Sequence, residues 1–351
     1  MAFISGTATN AENLLSIFRT FITSHPDLLD PAGDGSLPSQ AWQELKYVAG
    51  TPGGGTGSSP YELYLRGPGL ANQDNIYINV SLQNVTTTGL DSWLWRIDGA
   101  TGFLAGSDFG NQPGNNPNTA GSRYINMPLY DQSMPYWIYA NGRRFIVIAQ
   151  VTASVYVHCY GGFLIPYAPA LSALEYQYPL YIGANQGLPA RFSNTSPASM
   201  RSFWNPAYAD TFYGSAFVYT PGNTWQWVRN VTSANSEQND DSSIPDDTSD
   251  YPIGRILPRN RYWNGAATGT WPLNQTPLLD GSYLLYDLEV VSPSTNFLHL
   301  TAFYGVLDGV SWLSGVSQSS QNTLAIGSDT YIVFQEAHRT DEASFIAILE
   351  S

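Results

Sequence analysis

The 351-residue sequence is long enough for two domains or one large domain, and with 43% hydrophobic residues it can bury a sizeable core. Only 12% of its residues are charged and the net charge is −14, so it lacks the clustered cations of a nucleic-acid surface, and we expect no direct sequence-specific binding of nucleic acid. No apolar run approaches the roughly 18 residues of a membrane span, so no span is expected, and the first residues lack the basic region of a secretory signal.

Cysteine, lysine and aromatic residues are used unevenly. Cys159 is the only cysteine, so no disulfide forms within the chain, which fits assembly in a reducing cytoplasm. Lys46 is the only lysine among 14 cationic residues, and there are 10 Trp, 23 Tyr and 15 Phe. Interface cores favour arginine and aromatic residues over lysine, so this bias favours contacts between subunits. A GC-rich genome or an all-β fold would produce the same bias, and both explanations stay open.

One segment near the start has helical periodicity. Thr9 and Glu12 have the spacing of a capping box, which predicts the start of a helix. His25-Pro26 predicts its end, because the residue before a proline disfavours the α conformation. The apolar residues between them recur at helical spacing: Ala11, Leu14, Leu15, Phe18, Phe21 and Ile22. We predict one amphipathic helix that docks on a sheet of its own chain or of a neighbour.

After this helix the apolar period changes to two, as in β-strands. Apolar residues in 76–82 alternate with Tyr77, Asn79 and Ser81, which predicts a half-buried strand. In YWIYANGRRFIVIAQ (136–150), Asn141-Gly142 predicts a hairpin with a type I′ turn, because both residues tolerate positive φ. Further strands are predicted at 44–48, 61–66, 93–97 and 154–160, the last ended by Gly161-Gly162.

The second half begins with a proline-rich and aromatic stretch at 163–183, which predicts an extended crossover. Gly327-Ser328-Asp329 predicts a hairpin near the end of the sequence. Strands are predicted at 212–219, 224–230, 283–291, 303–307, 310–316, 322–326, 330–335 and 344–350. The sequence thus predicts an all-β, antiparallel, sandwich-like or barrel-like fold with one N-terminal amphipathic helix. The expected division is a helical segment (1–30), a first β domain (31–165) and a second β domain with long loops (166–351).

Motifs for nucleotide, metal and nucleophile chemistry are weak. Lys46 follows no glycine loop, so the sequence contains no P-loop. His158 and Cys159 are neighbours in a predicted strand and therefore point to opposite faces. The acidic stretch 233–250 offers oxygen ligands for Ca²⁺ without the spacing of an EF-hand, and a solvated loop is the alternative. We predict no catalytic residue, no metal-ligating residue and no cofactor.

Two sugar-related functions would depend on particular residues. Pairs of carboxylates could hydrolyse glycosides, but any acidic β protein offers such pairs. The formal candidates are Glu175, Asp210, Asp287 and Glu289. Aromatic rings in 203–227 could bind sugars or pack in a subunit contact, and packing or contact is favoured. The candidate contact or glycan-binding residues are Trp204, Tyr213, Trp225 and Trp227.

Several long segments resemble structural proteins of tailed bacteriophage particles. They are GTATNAENLLSIFRTFIT, YELYLRGPGLANQDNIYINV, MPLYDQSMPYWIYANGRRFIVIAQVTASVYVHCYGGFLIPYA, YQYPLYIG, GVLDGVSWLSG and TLAIGSDTYIVFQEAHRTDEASFIAILES. They cover both ends and the middle of the sequence, and the region 190–290 carries the least resemblance. The resemblance implies a virion component of the tail assembly, at the neck, collar or baseplate, without catalytic residues.

The expected function follows from the resemblance and the composition together. We expect a non-enzymatic structural subunit, assembled in the cytoplasm of the host bacterium, that contacts other virion structural proteins and forms a homo-oligomeric ring. A receptor-binding or glycan-binding virion adhesin is the alternative, and a polysaccharide hydrolase is a third hypothesis.

Overall fold

The computed structural model describes residues 1–51, 59–84, 93–117, 125–166, 179–185, 216–220, 222–229, 253–258, 282–293, 300–337 and 345–350. Within these ranges the chain forms two β-sheets and one helix of 14 residues. Strand pairs are antiparallel except for one parallel pair, described below. The predicted all-β class with one N-terminal amphipathic helix is confirmed.

The helices are α1 (Ala11–Ser24) and α2 (Pro26–Leu29), and a single 3₁₀ turn covers Phe109–Asn111. The smaller sheet, sheet B, contains β2 (Gln43–Val48), β3 (Tyr61–Gly67), β4 (Ile76–Asn84), β5 (Trp93–Ala100) and β6 (Asn126–Leu129), in that order. The larger sheet, sheet A, contains β1 (Ala2–Ala8), β7 (Met134–Ala140), β8 (Arg144–Thr152), β9 (Val155–Phe163), β10 (Leu180–Ala184), β11 (Ala216–Tyr219), β12 (Trp225–Arg229), β13 (Ile253–Pro258), β14 (Tyr286–Pro293), β15 (Leu300–Leu313), β16 (Thr323–Ile326), β17 (Asp329–Gln335) and β18 (Phe345–Leu349).

Sheet A follows chain order over most of its width. Its strand order is β1-β7-β8-β9-β10-β11-β12-β13-β14-β15-β18-β17-β16, and β12–β13 is the parallel pair. Strand β18 therefore lies between β15 and β17, although it follows both in the chain. Among the described strands, the free edges of sheet A are β1 and β16, and those of sheet B are β2 and β6.

The two largest hydrophobic cores lie between three layers of β-strands. The first core lies between sheet B and α1 on one side and strands β7 to β11 on the other. The second core lies on the opposite face of those strands, where β14, β15, β17 and β18 pack. The rings of Trp137 in β7 and Phe334 in β17 meet across it at 5.2 Å between centroids. Sheet A thus bends back over itself, which matches the predicted sandwich-like architecture.

Helix α1 fills one end of the first core. The six apolar residues predicted for its stripe are all buried, and the helix ends before His25, as predicted. The predicted cap is wrong by one residue, because Asn10 is the N-cap and its side chain accepts from the Asn13 amide at 2.8 Å. The Asn13 side chain in turn accepts from the Thr9 amide at 3.0 Å. With Asn10 as the N-cap, the amides of both Thr9 and Asn13 therefore have a side-chain acceptor. Phe18 contacts the Phe145 ring at 4.9 Å and joins α1 to sheet A.

The hairpin β7–β8 forms as predicted, but the predicted turn type is wrong. Neither Asn141 nor Gly142 has a positive φ, which a type I′ turn requires at both positions. Instead the Asn141 side chain accepts from the amides of Arg143 at 2.8 Å and Arg144 at 3.0 Å, so it closes the loop as an Asx turn. Position 142 requires glycine because there is no space for a side chain: a Cβ there would lie 2.0 Å from the carbonyl oxygen of Gly69.

The glycine pair Gly161-Gly162 and the single Gly309, which coincide with predicted strand ends, lie inside longer strands. Strand β9 continues through Gly161 and Gly162, where a Cβ would lie 2.6 Å from the Phe145 ring and 2.4 Å from the Arg144 backbone. The predicted strand 303–307 and the first four residues of the predicted strand 310–316 belong to the single strand β15, which includes Gly309 at φ +73°. These glycines permit close approach and a backbone irregularity without ending the ladder.

The remaining predicted strands correspond to β2 to β5, β11, β12, β14 and β16 to β18, with ends that differ by a few residues. Strands β1, β6, β10 and β13 were not predicted. Strand β10 falls in the predicted crossover 163–183 and pairs with β9 and β11. Residues 212–215 of the predicted strand 212–219 lie outside the described ranges, as does the acidic stretch 233–250.

Strand β4 is more buried than the predicted alternation implies. Asn79 and Ser81 are buried together with the apolar residues of the other face. The reason is the loop that follows β5, because its Phe103 and Phe109 pack their rings against Tyr64 on the outer face of sheet B. A face expected to meet solvent is therefore covered by the same chain.

The predicted domain boundaries at 30/31 and 165/166 stay a prediction. Strand β1 lies in the segment predicted as helical, and it pairs with β7 from Ala2↔Ala140 to Ala8↔Met134. Sheet A therefore contains strands from all three predicted segments. Within the described ranges, no helix has the length and apolar character needed to cross a membrane.

Candidate functional site

The four aromatic candidates are placed unevenly by the structure. Trp204 and Tyr213 lie outside the described residues, and Trp227 is described only as part of the backbone of β12. Trp225 is 6% exposed and donates its indole N–H to the carbonyl oxygen of Gly114 at 2.8 Å. Its ring packs in the first hydrophobic core, so it offers no open face to a sugar.

Of the four carboxylate candidates, only two lie among the described residues. Glu175 and Asp210 lie outside the described ranges, whereas Asp287 is exposed and Glu289 is buried on β14. A bulge separates these two residues in the ladder with β15. In the described ranges, no three side chains of His, Cys, Asp or Glu lie together where they could hold a metal ion.

His158 and Cys159 point to opposite faces of β9, as the strand assignment predicts. Cys159 packs in the first core, and burial raises the pKa of its thiol. The backbone amide of His158 donates to the side chain of Asn185. Burial lowers the pKa of His158 to about 3, although a hydrogen bond with the backbone of Gln335 opposes this shift. Neither residue has the environment of an activated nucleophile or base.

A pocket of about 220 Å³ opens at the ends of β3, β4 and β5. All its lining residues are uncharged: Thr51, Ser59, Pro60, Tyr61, Leu82, Gln83, Asn84 and Trp93. Thr51 and Ser59 hydrogen-bond to each other across its rim. Leu82 and Trp93 are almost fully buried, so they close the pocket against the core.

The most organised polar group in the described ranges is a buried junction that we call the Arg144 junction. It consists of Arg144 and Asn141 from the β7–β8 hairpin, Asp308 from β15 and Tyr160 from β9. The Arg144 side chain is 1% exposed, and its Nε lies 3.3 Å from Oδ2 of Asp308. Asn141 Nδ2 donates to the same carboxylate oxygen at 3.1 Å. The Asp308 amide donates to the Tyr160 hydroxyl at 3.4 Å, and that hydroxyl donates to the carbonyl oxygen of Phe163 at 3.0 Å.

The charges of the Arg144 junction are mutually dependent. Burial alone would raise the pKa of Asp308, but the Arg144 guanidinium, the Asn141 amide and the Arg143 charge together hold it below its usual range. Burial also raises the pKa of Tyr160, so its hydroxyl stays protonated and keeps its donor. Glycine at 309 leaves space for the guanidinium, because a Cβ there would lie 2.3 Å from an Arg144 nitrogen.

The turn of this hairpin also binds sheet B and the segment after α2. The indole N–H of Trp42 donates to the carbonyl oxygen of Asn141 at 2.8 Å, and the Gly69 amide donates to that of Gly142 at 2.7 Å. The Gly142 amide donates to the Gln40 side chain at 3.2 Å. Residues far apart in sequence therefore meet at one turn. The sequence marks Arg143-Arg144 as a concentration of cations among aromatic residues, but it contains no sign that Asp308 is the partner.

Comparison with known proteins adds no assignment, since neither the models of known protein families nor the curated protein sequences include a match to this chain.

Proposed function

We propose that the chain is a non-enzymatic structural component of a tailed bacteriophage particle, in the tail assembly at the neck, collar or baseplate. Its work in this proposal is to hold neighbouring subunits, so its partners are other virion structural proteins and further copies of itself in a ring. The proposal places it in the virion after assembly in the cytoplasm of the host bacterium.

The observation that carries the proposal is the composition of the Arg144 junction. Its residues come from segments of the sequence that separately resemble virion structural proteins: Arg144 from ANGRRF and Asp308 from GVLDG. Gly69, which binds the same turn, comes from a third such segment, RGPGL. These segments meet at one buried site, so the parts of the sequence that carry the resemblance also carry a long-range contact of this fold.

The buried aromatic residues support a rigid scaffold but do not by themselves indicate a subunit contact. Trp42, Trp95, Tyr139 and Arg144 are among the largest fully buried side chains, and each is buried by its own chain. The bias toward aromatic residues and arginine therefore has an intramolecular use in the described ranges. A particle component benefits from such a scaffold, because rigid surfaces lose little entropy when neighbours bind.

Mass spectrometry of purified particles tests the proposal. We expect the chain in intact particles at a fixed ratio to the other structural proteins, with cross-links between it and at least one of them. Its presence in the infected-cell lysate but not in washed particles would contradict the proposal. Release of soluble sugars from host envelope glycans by the purified chain would instead favour the hydrolase hypothesis.

A further inference from the structure

The free edges of the two sheets differ in how they discourage pairing with another strand. Edge strands of soluble proteins are commonly protected by lysine, by proline or by a bulge. In sheet B, β2 has Lys46 and a bulge between Glu44 and Lys46, and β6 has Pro128. Strand β1 of sheet A, with the sequence AFISGTA, has no charged residue and no proline, and its register with β7 is unbroken.

The register of β1 shows which of its backbone groups face outward. Thr7 is opposite Pro135, which has no amide hydrogen to donate, so this pair occupies a non-hydrogen-bonded position of the antiparallel ladder. Such positions alternate, and Phe3, Ser5 and Thr7 therefore direct their N–H and C=O groups away from β7. The close stacking of Phe3 on the opposite residue, Tyr139, at 4.7 Å fits this assignment, because side chains approach more closely at these positions.

These outward groups are open to a partner. Residues 5–7 are exposed to solvent. In the described part of the chain, no hydrogen bond reaches the outward amides and carbonyls of Phe3, Ser5 and Thr7. Unpaired donors and acceptors at a regular spacing are the template for adding a strand to a sheet.

We propose that the outer edge of β1 binds the same edge of a second copy of this chain, antiparallel, about a two-fold axis at Ser5. The three outward residues are symmetric about Ser5, so each Ser5 faces the other and each Phe3 faces the Thr7 of the second copy. This register satisfies all the outward groups of both strands. The chain has a net charge of −14, and an uncharged edge strand lets two copies approach without placing like side-chain charges opposite each other.

This contact is independent of the proposed function, because a two-fold pair links two copies and does not by itself close a ring. Loss of dimer formation would therefore leave the particle experiment above unaffected. Equally, absence of the chain from particles would not remove the β1 contact.

Disulfide trapping tests the register directly. In a hydrogen-bonded antiparallel pair the Cα atoms lie about 5.5 Å apart, within the range a disulfide spans. The single native cysteine, Cys159, is buried, so Ser5→Cys provides the accessible thiol of the full chain. Thr7→Cys is the matched control, because in this register two copies of residue 7 lie roughly 13 Å apart along the strands.

We expect mild oxidation to convert folded Ser5→Cys into a covalent dimer and to leave Thr7→Cys monomeric on a non-reducing gel. In sedimentation of unoxidised protein, we expect the wild type and Ser5→Ala to be dimers. Ser5→Pro, which removes the outward amide without disturbing the ladder with β7, should be a monomer with an unchanged circular dichroism spectrum. A folded Ser5→Cys chain that stays monomeric under oxidation, or equal trapping of Thr7→Cys, would overturn the proposal.

Discussion

Removing the negative charge from the Arg144 junction tests whether its ion pair holds β15 against the β7–β8 hairpin. Asp308→Asn keeps the shape of the side chain but leaves the Arg144 guanidinium, 1% exposed, without its counter-charge. Removing one partner of a buried ion pair typically costs 3–5 kcal/mol. Because the Asp308 side chain is 18% exposed and water can partly solvate the site, we expect a loss of about 3 kcal/mol in the free energy of unfolding.

Urea unfolding followed by circular dichroism and tryptophan fluorescence measures this loss. The transition midpoint should fall with little change in the denaturant slope. Asp27→Asn is the matched control, since the Asp27 side chain is 63% exposed, and its effect should stay within about 0.5 kcal/mol. The double variant Arg144→Leu with Asp308→Leu should recover much of the loss, because an apolar pair leaves no buried charge. If Asp308→Asn unfolds like the control, the buried ion pair does not hold β15 against the hairpin.

Three further predictions concern space, packing and protonation. Gly142→Ala places a Cβ 2.0 Å from a backbone oxygen and should destabilise the chain by about 1–3 kcal/mol in urea unfolding, whereas Gly106→Ala, with nothing within 4 Å, should be neutral. Phe18→Ala opens a cavity between α1 and the sheets and should cost about 3–5 kcal/mol; a loss below about 1 kcal/mol would contradict the described packing. The pKa of His158 is lowered in the fold to about 3, so the unfolded chain binds the extra proton and stability should fall as the pH drops below about 6.5. In His158→Gln, the urea midpoint should depend less on pH between pH 7.5 and pH 5 than in the wild type. An equal dependence on pH in both proteins would refute the attribution to His158.

The elements that the sequence predicts well are those set by a local pattern. The apolar stripe and proline stop of α1 are both local, and the structure confirms them. The cap differs by one residue because two polar residues, Thr9 and Asn10, compete for the position, and the side chain of Asn13 decides between them. Hairpins at 141–142 and 327–328 follow from turn residues, whereas the turn type at Asn141 depends on a distant contact with Gly69.

The sites could not be predicted because they depend on residues that are far apart in sequence. Arg144 and Asp308 meet only after sheet A bends over itself, and no local spacing indicates this pairing. Gly161 and Gly309 resemble strand ends when only their neighbours are considered, yet each leaves room for a side chain from another strand. The sequence does not predict the open edge of β1 either, because this seven-residue strand beside a strong helix motif lacks the alternation that marks a half-buried strand.

The position of β18 between β15 and β17 has a kinetic consequence. An interior strand that is made after both of its neighbours cannot be present when those neighbours first emerge from the ribosome. Until residues 345–349 arrive, β17 has only β16 as a partner, and two-stranded hairpins are marginal in water. The end of synthesis therefore completes sheet A: a polypeptide truncated shortly before residue 345 would leave β15 and β17 each without the partner on one side, and such exposed strand edges are substrates for chaperones and proteases.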